Sequence, residues 1–452
     1  MSPLSELPGA MTDPGAGQRS PDVRADPPGP LSIAAARRLE RVECPAFGRR
    51  RRDRAEDRPD HLPIVLASGR GSNVWDVDGN RYVDLVAGFG AVLLGHGAPA
   101  LTSAVHAQSD RLVQGLGDVY ATEVKVALLE RLAPLLPCTA PQVLLAQAGG
   151  DAVTAAMKTA TLATGRPGFI AFDGAYHGLG LGPLPACGLR PSYREPFAAQ
   201  LNPHVRFAPY PGLDGADVDR SLAAVKQTLQ KGDVAAILVE PILGRGGCLV
   251  PPDGFLTELC ALAHDHQALV IADEVWTGLG RAGALVRSVE LGADIDILCL
   301  GKGLGGGVAI SACIAPESIM EAWSRDAEVI HTSTHCGAPL ACAAALATLD
   351  GLSRGQLPSR ARDVGARVRE AWSHELSSLP AVVAVRGEGL MIGVEMSSAA
   401  TCQRTARKLL GRGYLVLTGG RDGRVLTLTP ALTIGEDLLL QFGATLREEL
   451  EP

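Results

Sequence analysis

Between about residues 100 and 340 the chain repeats one pattern, a short apolar run followed by a stretch of helical spacing. The runs are VLLAQ (143–147), FIAF (169–172), AAILVE (235–240), ALVIADEV (268–275) and DILCL (296–300), and stretches such as 151–164 and 254–266 alternate with them. That alternation is the signature of an α/β domain with a mostly parallel central sheet. Ligands of such domains bind beyond the carboxyl ends of the strands, so the residues that close each run are the ones to search for chemistry.

The flanks read differently. Residues 1–31 are rich in Pro, Gly, Ser and Asp with almost no aromatic content, which predicts a disordered tail. GSNVWDVDGNRYVDL (71–85) reads as a hairpin, with Val74, Asp76, Tyr82 and Asp84 alternating about a turn at Asp78-Gly79. Beyond Asp350 a long helix (about 357–378) and short strands near 382–396 and 414–428 form an α+β unit. The organisation expected is a tail (1–31), a large α/β domain (96–345), and a smaller α+β domain built from both termini (32–95 and 346–452).

A formal charge of −7 and a pI near 5.8 speak against nucleic acid or an anionic membrane as partner. The one basic run, Arg49 to Arg52 with Asp53 and Arg54 behind it, reads as a solvated arm. The ten cysteines form no CxxC pair and no zinc-spaced ladder, so neither a disulfide framework nor a metal site is expected and a reducing cytoplasm fits. No apolar signal core opens the sequence, and the most apolar later stretch is interrupted by Lys302 and glycines; neither export nor membrane insertion is expected.

That interruption raises the chemical question. ILCLGKGLGGGVAI (297–310) carries a single charged side chain, Lys302, and an unpaired buried ammonium is costly. Asp273 and Glu274 end another run, so an ion pair is one answer. The other is a pyridoxal-phosphate site: the amine condenses with the cofactor aldehyde, which removes the burial problem, while an aspartate keeps the pyridine nitrogen protonated. Glycines around the lysine would admit the cofactor closely. AQAGGDAVTAAMK (146–158) follows a strand and opens a helix, so the backbone N–H groups of Gly149, Gly150 and Asp151 are placed to face a phosphate. FDGAYHG (172–178) offers Tyr176 and His177 to the ring.

Read together, WDVDGNRYVDL, LGHGAP (94–99), AGGDA, AYHG, VEPI, IADEVWTGLGRAG (271–283), LGKGLGGG (300–307), TSTHCGAPLACAAAL (332–346) and RGEGLMIGVE (386–395) resemble, in order and separation, the class III aminotransferases of the fold-type-I pyridoxal-phosphate enzymes. The resemblance covers about residues 60–440. It implies that Lys302 is the aldimine lysine and proton carrier, and that Asp273 pairs with the pyridine nitrogen. Tyr176 and Val275 would sandwich the ring, Gly149 and Gly150 hold the phosphate, and Glu240 lie close to the cofactor. Thr334 matches a threonine that reaches the phosphate of the neighbouring subunit, which implies a homodimer with shared active sites.

The departures from the family pattern bear on the substrate. Gly150 stands where a hydroxyl residue is common, and Trp276 stands where a glutamine is common. Members acting on amino acids carry an arginine at the position of Thr427, and a glutamate that pairs with it where this chain has Arg245. Loss of both points to a principal substrate that is not an ordinary α-amino acid in the usual orientation, such as an amine or amino sugar, together with an amino donor or acceptor. An α-carboxylate would have to be held elsewhere, with Arg245 one candidate beside its plainer reading as a rim residue, and Trp276 and Thr427 the other candidates for substrate contact. The chain is also similar to class III enzymes of aminoglycoside pathways. Cys336, two residues past Thr334, would offer a second base if its thiol faced the reacting carbon, which opens epimerisation or an intramolecular amino shift as the alternative to transamination. GLGRAG (278–283) is formally a dinucleotide fingerprint and makes a nicotinamide oxidoreductase the rival from another class, but it leaves Lys302 and AGGDA unexplained.

Overall fold

A computed structural model describes residues 17–53, 62–325 and 328–451, and three sheets organise them. The first joins the two ends of the chain. β1 (Leu66–Arg70), β2 (Asn73–Asp76) and β3 (Arg81–Asp84) form an antiparallel meander, with Val74 opposite Tyr82. Gly79 takes a φ of +88° in the turn. A late strand of two residues, Tyr414–Leu415, then pairs parallel to β3.

Residues 17–29, expected to belong to the disordered tail, run instead along this meander; residues 1–16 lie outside the described residues. The reason is polar and local. Asn73 Oδ1 accepts the Arg19 N–H at 2.9 Å, Asn80 Oδ1 accepts those of Arg24 and Ala25 at 2.7 and 2.9 Å, and Asp22 bridges Arg81. The Asp78 carboxylate accepts the Leu31 and Ser32 N–H groups and so caps the helix Pro30–Glu40 from outside its own segment. Composition predicts whether a segment has its own core; it is silent on buried asparagines elsewhere that want its backbone.

The central sheet has seven strands. They are β4 (Pro141–Ala146), β5 (Gly168–Phe172), β6 (Val205–Ala208), β7 (Val234–Val239), β8 (Leu269–Asp273), β9 (Ile297–Leu300) and β10 (Ser311–Pro316), in the spatial order β4-β10-β9-β8-β7-β5-β6. Six run parallel, and β10 is antiparallel to both β4 and β9. All six residues of β7 are buried because helices cover both faces. On one face the helix Gly149–Thr164 sets Ala152, Val153 and Ala156 against Ile271, Ile297 and Cys299. Small residues on the helix let it lie close to the sheet, which fixes where its N-terminus points.

The third sheet, β11 (Val382–Glu388), β12 (Met391–Met396), β14 (Leu417–Gly419) and β15 (Val425–Leu428), is antiparallel in the order β11-β12-β15-β14, with β13 the name kept for Tyr414–Leu415. The helix Leu357–Leu376 packs on it through Val364, Val368 and Trp372. The basic run lies at the end of a helix, Pro45–Asp53, with Arg51 paired to Glu43; Arg54 lies outside the described residues. No helix among the described residues is long and apolar enough to cross a membrane.

Candidate active site

Four parallel strands end around one cavity of about 330 Å³, and each contributes a side chain at or just beyond its carboxyl end. Asp273 closes β8, Glu240 follows β7, Tyr176 and His177 follow β5, and Lys302 stands two residues past β9. β4 leads into Gly149, Gly150 and Asp151 at the opening of the helix Gly149–Thr164. The same cavity is lined by Val275, Trp276, Thr154 and Gly178.

Lys302 has a φ of +37°, an uncommon and strained conformation for a side chain of its size. It keeps some surface towards the cavity and is otherwise enclosed. Its Nζ makes no hydrogen bond or ion pair among the described residues and lies 4.4 Å from the centre of the Trp276 ring. Burial pulls its pKa down to about 8, with Arg245 adding to the effect and Asp273 and Glu240 opposing it. An amine held this way is neutral over a useful part of the pH range, which is the form that attacks an aldehyde.

Asp273 is fixed from two sides. Its Oδ1 accepts the Val275 N–H at 3.1 Å, and its Oδ2 lies 2.7 Å from Nδ1 of the buried His177. His177 is therefore the acid's positioning partner and not a ring-stacking group, and its Nε2 is buried without a partner. Glu240 is gripped by the backbone: its two oxygens accept the Tyr176 N–H at 2.8 Å and the Gly244 N–H at 3.1 Å. Burial pushes its carboxyl up to about 7 against the pull of His177, and Asp273 adds to the rise. Glu274 plays no part in the cavity, since Ser288 and Thr277 occupy both of its oxygens.

The glycines at the helix opening are there for space. A Cβ at Gly149 would lie 2.5 Å from Val275 Cγ1, and one at Gly301 would lie 3.2 Å from the same atom. Among the described residues the N–H groups of Gly149 and Gly150 have no acceptor at the first turn, whereas that of Asp151 is taken by the Ala148 carbonyl at 2.9 Å. The Asp151 carboxylate in turn accepts the Ala148 N–H at 2.9 Å, so Asp151 caps the helix and drops out of the anion cradle. Sequence reading missed Thr154 and Gly178 at this site. Their neighbours in the chain are chemical residues, but nothing in their own type marks them.

Other candidates are placed elsewhere. Thr334 is exposed, with its carbonyl bound by Gln114, and does not line this chain's cavity. Cys336 lies beside Ser333 and Lys125, where burial raises its thiol pKa, so within one chain it does not face Lys302. Thr427 is buried in β15 beside the Cys248 thiol. Arg245 stands at the rim, its guanidinium 4.9 Å from the Tyr176 ring centre.

A lysine whose charge burial disfavours, a carboxylate held rigid at a strand end and an anion cradle at a helix opening fit one cofactor, and together with the seven-stranded sheet they define a pyridoxal-phosphate enzyme of fold type I. The family model for aminotransferase class-III matches residues 55–449. An acetylornithine aminotransferase of Methanopyrus kandleri is 39% identical over 86% of this chain and 95% of its own length. A 5-aminovalerate aminotransferase of Pseudomonas aeruginosa is 33% identical over 86% of this chain and 93% of its own length. Among solved structures, an amine transaminase from an uncultivated Pseudomonas species with pyridoxal phosphate bound superimposes with a TM-score of 0.78 at 29% identity, covering 87% of this chain and 97% of that one. The acetylornithine aminotransferase of Elizabethkingia anophelis gives 0.76 at 28% identity, covering 93% and 98%. The chain belongs to the class III aminotransferases and is a pyridoxal-phosphate-dependent aminotransferase. None of these relatives is named for an amino sugar, so the likeness to aminoglycoside enzymes draws no support from them.

Proposed function

We propose that the enzyme moves an amino group to or from an amine whose reacting carbon is not flanked by an arginine-held carboxylate, either an ω-amine or an amine on a sugar ring. The observation that carries this reading is the lining of the Lys302 cavity, which contains no arginine among the described residues. β15, where amino-acid-specific relatives would place one, presents a buried threonine. The relatives named for 5-aminovalerate and for amine substrates are compatible with the ω-amine branch.

When bound, the cofactor supplies an aldehyde to carry the amino group and a ring that accepts electrons from the substrate carbon. The chain does the rest. Asp273 would hold a proton at the ring nitrogen, with His177 keeping its carboxylate from turning away. Lys302 would be the base that takes the proton from the substrate carbon. Tyr176 and Val275 would enclose the ring, with Glu240 anchoring the Tyr176 backbone, and the N–H groups of Gly149 and Gly150 would hold the phosphate.

The reading includes a homodimer with shared sites. It is supported by exposed Thr334 and by the apolar surface of Leu112, Val113, Leu116, Val119 and Tyr120 on the stretch that carries Gln114. Transamination is favoured over epimerisation because the relatives are named as aminotransferases, and the thiol offered as a second base stands outside its own chain's cavity. The test is stoichiometry: amino donor and keto acceptor should be consumed one for one. Deuterium entering a single carbon from solvent, with no donor consumed, would refute transamination.

A further inference from the structure

A second cavity, of about 710 Å³, has a lining that includes Arg49, Arg190, Arg245, Tyr193, Gln403 and Thr418. Tyr176 lines the cofactor cavity and Arg245 lines this one, and the Arg245 guanidinium over the Tyr176 ring brings the two linings together. The three guanidiniums have no carboxylate partner among the described residues. Arg190 spends one N–H on the Arg421 carbonyl at 2.9 Å. The one carboxylate in the lining, Asp422, is already engaged by Arg424 at 3.2 Å.

Arg245 is also held in place. Its carbonyl accepts the Gly420 N–H at 3.0 Å, which ties it to the turn after β14. That turn can lie so close only because residue 419 lacks a side chain, since a Cβ there would meet Thr427 Oγ1 at 2.5 Å. The two departures from the family pattern are neighbours in space: Thr427 lies against Gly419, and the next residue, Gly420, holds the Arg245 carbonyl.

We propose that this cleft is the distal subsite for the substrate, where Arg245, supported by Arg190 and by Arg49 of the basic run, holds an oxyanion at the end away from the reacting amine. A guanidinium stacked on an aromatic ring is oriented before binding and can present two parallel N–H groups to a carboxylate or a phosphate. The inference rests on the amine reading above and adds the charge that the amine must carry elsewhere.

The test follows conversion of the bound cofactor to its amine form in the purified holoenzyme with two matched pairs: 5-aminovalerate against n-pentylamine, and glucosamine 6-phosphate against glucosamine. Loss of one charge-assisted contact corresponds to about tenfold to a hundredfold. The anionic member of one pair should therefore have a kcat/KM at least about tenfold higher, and the pair that shows it distinguishes carboxylate from phosphate. Arg245→Gln should collapse that ratio towards unity by raising KM with little change in kcat, and Arg245→Lys should restore part of it. Equal kcat/KM within both pairs, or a ratio that survives Arg245→Gln, overturns the subsite and leaves the amine reading standing. Failure of all four amines to convert the cofactor overturns the amine reading and this inference with it.

Discussion

Gly149→Ala probes the tightest contact in the site. The added methyl would stand 2.5 Å from Val275 Cγ1 and 3.1 Å from Cγ2, where carbon atoms normally rest about 3.5–4.0 Å apart. Val275 cannot slide away, because its N–H holds Asp273 Oδ1 at 3.1 Å and the other flank of Cγ1 faces Gly301. The remaining escape is rotation into the cavity, which is open only when no cofactor fills it. The overpacking cost, about 1–3 kcal/mol, should therefore fall mainly on the holoenzyme and weaken cofactor binding by about five- to hundredfold. Titration of the apoprotein with pyridoxal phosphate, followed by absorbance, measures this directly. Adding Val275→Ala removes both methyls that collide, so the double variant should bind at least about fivefold more tightly than the two single losses added together predict. Wild-type affinity in Gly149→Ala, or strict additivity in the double variant, would refute the argument that Gly149 is there for Val275.

Four further expectations follow from the geometry. The rate of cofactor capture by the apoprotein should rise with pH through about 8, as Lys302 loses its proton, and Glu240→Gln should move that midpoint down because Glu240 favours the charged amine. In the apoprotein the raised carboxyl of Glu240 contributes stability that is full below its ordinary 4.5 and lost as pH climbs through about 7, so Glu240→Gln should flatten the melting-temperature profile across that window. Gly365→Ala sits inside the helix Leu357–Leu376, where propensity alone favours alanine by about 1 kcal/mol. Its Cβ would nevertheless stand 1.9 Å from the Gly389 carbonyl oxygen, so a marked fall in melting temperature is expected, while Gly411→Ala, with open space around it, should be neutral. His177→Phe should leave cofactor bound but lower kcat about tenfold or more by freeing Asp273 to turn, and an unchanged kcat would remove His177 from the machinery.

The central sheet was legible because burial on both faces leaves short apolar runs that no exposed segment would tolerate. β6 and β10 were not singled out, and nothing local in SACIAP shows that β10 runs antiparallel. The arrangement at Asp273 was half legible. A carboxylate closing an apolar strand stands out in the sequence, but its pairing with His177, 96 positions away, depends on β5 and β8 lying on either side of β7. Residues 17–29 were misread because their order comes from Asn73, Asn80 and Asp78, whose side chains act on a segment that has no core of its own.

What the sequence determined alone was the chemistry: one lysine in a run that cannot hold a charge, one acid at the end of another, and glycines where a helix begins. These are local conflicts between a residue and its surroundings, and a conflict is visible without coordinates. Which side chains share a cavity was decided only by tertiary structure. It brought Arg245, Arg190 and Arg49 to one cleft from three distant segments and left Cys336 outside, because strand order and loop packing, which no single segment encodes, set the distances.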